Sequence, residues 1–165
     1  METKIPFYNI VNMFLTGFVF IGCCMFIYIS TFLDLLTADY LKKISIGPES
    51  IITISFFAII YEIGYIINRI GSIVTEPLLK KTKIIPFDND YKKFNDCKQQ
   101  YPILNTLSRE YALSRTSLTL FLITTVLAAF QKQWMLLLMF LVIALLFSFS
   151  CRKHAKKIVD IMKRV

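Results

Sequence analysis

The sequence predicts an all-α membrane protein: a four-helix transmembrane bundle with a short helical cytoplasmic segment, in one integral domain over residues 1–165. Three observations carry this expectation. Hydrophobic residues make up 56% of the chain and mean hydropathy is +0.59. The apolar residues fall into four runs close to the roughly 20 residues that a helix needs to cross a bilayer. Those runs lack the period-two alternation of barrel strands, so helices that satisfy their own backbone hydrogen bonds remain.

The first span is expected over about 7–33. No charged residue lies between Lys4 and Asp34, and the run is too long and lacks the small-residue cleavage pattern of a secretory signal, so it reads as a retained anchor. The second, over 50–70, starts after Gly47, Pro48 and Glu49, where proline and an acidic residue suit a first helical turn. The third, over 114–131, has only 16 uncharged residues between Arg115 and Lys132, so it reaches full length if Arg115 snorkels toward headgroups. The fourth, over 134–151, opens at Trp134, an aromatic anchor, and ends at the basic CRKHAKK.

Four spans put both termini on one side, and charge assigns that side to the cytoplasm. Lys4, nine basic residues from Arg69 to Arg115 and six from Arg152 to Arg164 total 16; only Lys42, Lys43 and Lys132 lie opposite. The net charge of +8 thus reads as attraction to anionic headgroups, and nucleic acid is not the expected partner. In the cytoplasmic segment, about 78–112, Asp88 is expected to cap a short helix carrying Tyr91 and Phe94. Pro102 is expected in the first turn of another, where Ile103, Leu104, Leu107 and Tyr111 fall at helical spacing and run on into span three. These faces either pack on the end of the bundle or dock a partner. The tail, 152–165, carries Arg152, Lys153, Lys156 and Lys157 beside apolar residues, as in an amphipathic helix lying on an anionic leaflet.

The functional signal is the polar stripe at the exit of span two. Glu62, Arg69 and Glu76 are spaced by seven, so an unbroken helix carries them on one face, with Asn68 and Ser72 beside it. A charge at the bilayer centre costs on the order of 2.5–3.5 kcal/mol, so Glu62 is expected to point into the bundle or a wet cavity. Arg109, Glu110 and Arg115 are the partners available elsewhere. Gly64 and Gly71, also seven apart, would admit a close neighbour, from another span or another subunit.

The string NRIGSIVTEPLLKK, with the later SREYALSR, resembles small multi-pass membrane effectors of bacterial phage-defence systems over about a third of the chain. The resemblance implies a bacterial inner-membrane effector that disturbs the bilayer, with a soluble sensor as partner. It makes Arg69, Gly71, Ser72, Glu76 and Pro77 the motif positions.

Catalysis finds no support in the sequence. His154 is the only histidine and sits in the basic tail, where a headgroup-facing charge is its expected role; no GxSxG, HExxH or phosphate-binding glycine loop is present. Cys23, Cys24, Cys97 and Cys151 lack metal-ligand spacing, so no metal or cofactor is expected. Two functions remain: an oligomeric effector that forms a pore or perturbs the bilayer, and a membrane scaffold that recruits a soluble cytoplasmic partner through 78–112.

Overall fold

The computed structural model describes residues 7–29, 46–87 and 91–163, and these are helical, without strands. The expected end of span one at Leu33, the cap at Asp88, and Lys4, Lys42, Lys43 and Arg164 lie outside the described residues. Four helices are long and apolar enough to cross a membrane. The chain is an integral membrane protein of the all-α class.

Helix α1 spans Phe7–Ile27 and α2 spans Ile46–Ile70. The latter continues without a break through a π-helical turn, Gly71–Thr75, into α3, Glu76–Lys81. Pro77 explains the wide turn. It has no N–H for the Ile73 carbonyl, and its ring would crowd that carbonyl in a regular α-helix. The ladder closes one residue further along, with the Glu76 N–H on Gly71 O. An inserted residue rotates the rest of the helix by roughly 100°, so Glu76 leaves the line of Glu62 and Arg69 on which the spacing of seven placed it.

Helix α4 (Tyr91–Gln100) and α5 (Ile103–Phe130) come next, then α6 (Trp134–Met162). Pro102 stands immediately before α5, whose first turn buries Leu104 and Leu107, and the helix runs unbroken into the membrane as its spacing predicts. Ile103 is instead exposed. Lys83 and Lys132, with φ of 57° and 55°, end α3 and α5 in the left-handed conformation usually given to glycine. The backbone bonds Ile84 N–H to Leu79 O and Gln133 N–H to Ala128 O, each 3.0 Å, close both ends. Gln133 Nε2 also donates to Ile27 O at 2.6 Å, tying the α5–α6 hairpin to the end of α1.

Helix α5 is the hub. It packs against α6 on one side and against the α1–α2 pair on the other, and 44% of its most apolar stretch is buried, against 17–22% for the other three. At the hairpin end Ile27, Ala128 and Phe140 form a small core. At the opposite end Leu79, Ile85, Cys97, Leu104, Leu107 and Tyr111 pack with Cys151, Ala155 and Ile158 of α6. Segment 78–112 therefore packs one apolar face on the end of the bundle and leaves Leu78, Tyr101 and Ile103 exposed.

The tail differs from the expected surface helix. Residues 152–162 continue α6, whose 29 residues rise about 43 Å, longer than a roughly 30 Å hydrocarbon core. The inner face of this extension, Cys151, Ala155 and Ile158, is buried, while Arg152, Lys153, Lys156 and Lys157 are exposed. Burial of an apolar stripe by α5 and the 79–97 segment holds the extension in line, where an unpartnered stripe would seek lipid.

Candidate functional site

Two features of α2 hold the polar chemistry of the chain, one facing inward and one outward. The inward one centres on Arg115 of α5, whose side chain is 12% exposed and pairs through Nη1 with Glu76 Oε2; Lys80 Nζ reaches the other Glu76 oxygen at 3.4 Å. Arg115 Nη2 also donates to Asn68 Oδ1 at 3.4 Å. Thr116 Oγ1 lies 3.0 Å from Asn68 Oδ1 and 2.8 Å from Ala112 O, so its one proton serves either acceptor. Thr119 Oγ1 donates to Arg115 O at 2.9 Å, which leaves Thr75 Oγ1 to donate to Thr119 Oγ1 at 2.8 Å.

Local sequence explains this convergence. The π turn swings Glu76 toward α5, and Gly71 lets α5 approach: a β-carbon there would lie 2.9 Å from Thr119 Oγ1. Single π turns inside α-helices are rare and occur frequently at functional sites. The pair is also partly dry, which strengthens it relative to a surface ion pair. Arg115 Nε is buried without a hydrogen-bond partner among the described residues, which leave the guanidinium incompletely satisfied.

The outward feature reverses an expectation. Glu62 does not point into the bundle; it is exposed on the outer surface of α2 and makes no hydrogen bond or ion pair among the described residues. Its depth follows from the α1–α2 contact. Gly17 is the midpoint of α1, and a β-carbon on it would collide with Ile60 O, while one on Gly64 would collide with Met13 O. Gly64 is thus level with the middle of a span of about 30 Å, and Glu62 is two residues, about 3 Å, away along the axis. The reason for the outward direction is geometric: Ile60, Gly64 and Ile67 occupy the face that packs on α1 and α5, and Glu62 lies on the opposite side.

The same outer face carries Ser55, Ile59, Glu62, Ile66, Arg69 and Ile73, all exposed. Two rows of period seven run along it, one polar (Ser55, Glu62, Arg69) and one of isoleucine (Ile59, Ile66, Ile73). Arg69 pairs with neither Glu62 nor Glu76; its guanidinium stands 4.9 Å over the Tyr65 ring.

Of the other residues singled out by the sequence, Ser72 is exposed at the rim of a cavity of about 540 Å³ that Glu76, Arg115, Phe87, Tyr111 and Met162 also line. Gly64 and Gly71 do join spans, but different ones, α1 and α5 respectively. Among the proposed partners only Arg115 joins the network. Arg109 stands 6.0 Å from the Tyr8 ring centre, and Glu110 lies 3.1 Å from Nδ1 of a largely buried His154, which is therefore not a headgroup-facing charge. Gly17, Thr75, Thr116 and Thr119 went unread; a lone glycine or threonine inside an apolar run has no periodic signal, although Thr119 lies four residues from Arg115, on the same helix face. Among the described residues no group of histidine, cysteine and carboxylate side chains could hold a metal. Compared with protein-family models, curated proteins and solved structures, the chain matches none.

Proposed function

We propose that the chain is a self-associating membrane effector whose copies bring their Glu62 faces around one axis and open a hydrated path for ions through the bilayer. The observation that supports this reading is a carboxylate exposed on the outside of a single chain, without a hydrogen bond or ion pair among the described residues and close to the level of the α1 midpoint. Facing lipid it would cost on the order of 2.5–3.5 kcal/mol, and a second copy or enclosed water removes that cost. The isoleucine row beside it supplies a packing seam of period seven for the same contact. A single bundle has its interior filled by α5, so a lumen requires several copies.

By the resemblance of NRIGSIVTEPLLKK, such an effector would serve bacterial phage defence at the inner membrane, under the control of a soluble sensor. The scaffold alternative is less favoured, because Leu104, Leu107 and Tyr111 are buried in the chain's own core, which leaves a partner Leu78, Tyr101 and Ile103 as the large exposed apolar side chains of that segment among the described residues.

The reading is tested by ion flux from liposomes and by a voltage-sensitive dye in cells during induced expression. Glu62→Gln, which removes the charge at nearly constant volume, is expected to lower flux by about tenfold while the protein still inserts, a change of about 1.4 kcal/mol in the barrier. A stable monomer that neither leaks ions nor depolarises cells would overturn it.

Both termini are proposed to face the cytoplasm. Cys97 and Cys151 are poor reporters, being buried. Lys157→Cys and Gln131→Cys, both at exposed positions, report opposite sides. In intact cells an impermeant thiol reagent is expected to label Gln131→Cys and to spare Lys157→Cys until the membrane is opened; the reverse pattern would invert the topology.

A further inference from the structure

We propose that a second cavity, enclosed by α1, α2, α4 and α5, is a binding site for a phosphate-bearing ligand. It has a volume of about 310 Å³, and Lys98, Arg109 and Arg115 contribute three cations to its wall. No carboxylate lines it among the described residues. Glu76, which balances Arg115, lines the larger cavity, which meets this one at Ser108, Ala112 and Arg115 of α5. Lys98 and Arg109 make no ion pair among the described residues, and the one contact of Arg109 is with the face of Tyr8. Cations gathered in a partly enclosed space repel one another, and an anion between them relieves that repulsion.

The rest of the wall narrows the anion. Four asparagines, Asn9, Asn12, Asn68 and Asn105, supply side-chain amides, and the Asn12 oxygen is buried without a hydrogen-bond partner. An asparagine with a free end inside a cationic cavity can turn its N–H₂ toward an acceptor. The Arg109 guanidinium, the Lys98 ammonium, the free Nε of Arg115 and several amides offer more donors than the two oxygens of a carboxylate accept, whereas a phosphate accepts from three or four sides. The volume leaves room for the group esterified to it.

Position leaves two sources of that chemistry. The cavity lies at the end of α1 marked by Tyr8, level with Arg109, where the bilayer meets water on the side proposed as cytoplasmic. A phospholipid headgroup reaches it from the membrane and a soluble phosphate ester from the aqueous phase. The site stands apart from the pore reading, because binding is measured without conductance.

The test uses the full chain, delipidated in a neutral detergent, and follows the thermal midpoint as ligand is added at constant ionic strength. One arm receives inorganic phosphate or glycerol 3-phosphate; the other receives phosphatidylglycerol in the micelle. At saturating ligand one arm or both is expected to raise the midpoint by about 4 °C or more. Arg109→Gln and Lys98→Gln should each weaken binding by about tenfold, Arg109→Lys by less, and Lys157→Gln, the same charge change outside the cavity, by less than about twofold. Midpoints without ligand establish that each variant folds. A response confined to the lipid arm assigns a phospholipid, and one confined to the free arm a soluble ester. No rise in either arm, or equal weakening by Lys157→Gln, would overturn the site.

Discussion

Gly64→Ala is expected to destabilise the protein by on the order of 3 kcal/mol, and Gly17→Ala by a similar amount, because each puts a methyl group onto a backbone carbonyl of the facing helix. The contact is reciprocal: Met13 O faces Gly64 and Ile60 O faces Gly17. Neither carbonyl is the end of a flexible side chain, so α1 and α2 must separate to admit the methyl, losing dispersion contacts and the close Cα–H to carbonyl approach on both sides. Once the helices have parted for one substitution, the second meets less resistance. The double variant should therefore be destabilised by clearly less than the sum of the singles. Gly22→Ala is the internal control, since nothing lies within 4 Å of its β-carbon position; it should be neutral or stabilising by up to about 1 kcal/mol. Reversible unfolding in mixed micelles would measure all four. Additive singles, or a Gly64→Ala variant as stable as its parent, would show that this contact does not set the helix spacing.

The sequence made the spans legible because apolar runs of about 20 residues are a one-dimensional signal. Pro102 followed by Leu104, Leu107 and Tyr111 was enough to extend α5 from the segment between spans two and three into the membrane. Arg115 was legible as a partner for the stripe for a different reason: a cation beside an apolar run must find an anion. The direction of Glu62 was not legible. Spacing of seven defines a face but not which neighbour covers it, and that depends on Gly17, whose position in an apolar run carries no mark of its role. Glu76 escaped the predicted line because one inserted residue at the π turn changes the phase of the helix beyond it. Pro77 was the available signal, because a proline there widens the turn before it. The basic tail was misplaced because the same stripe of Ile158 and its neighbours fits a leaflet or a facing helix, and only the tertiary contact decides between them.

Glu76→Leu is expected to cost about 3 kcal/mol or more, and Arg115→Met markedly less, although the two residues form one ion pair. The asymmetry follows from the charge each leaves behind. Without Glu76, Arg115 keeps a charge on a side chain only 12% exposed, with an Nε that already lacks a partner and, among the described residues, Asn68 at 3.4 Å and the Tyr111 ring at 5.9 Å to receive it. Without Arg115, Glu76 keeps Lys80 at 3.4 Å and remains a paired carboxylate near the membrane edge. The penalty for a desolvated, unpaired charge thus falls on one variant and not the other. Replacing both residues, Glu76→Leu with Arg115→Met, removes both charges together and should recover much of the loss, since no desolvated, unpaired charge is then left between α3 and α5. The double variant also separates stability from function. If it folds but Glu62-dependent ion flux disappears, the network positions α2 within the assembly; if flux persists, the network only holds the spans together. Equal penalties for the two single variants, or a double variant no more stable than Glu76→Leu, would reject this account of how the inner charge is satisfied.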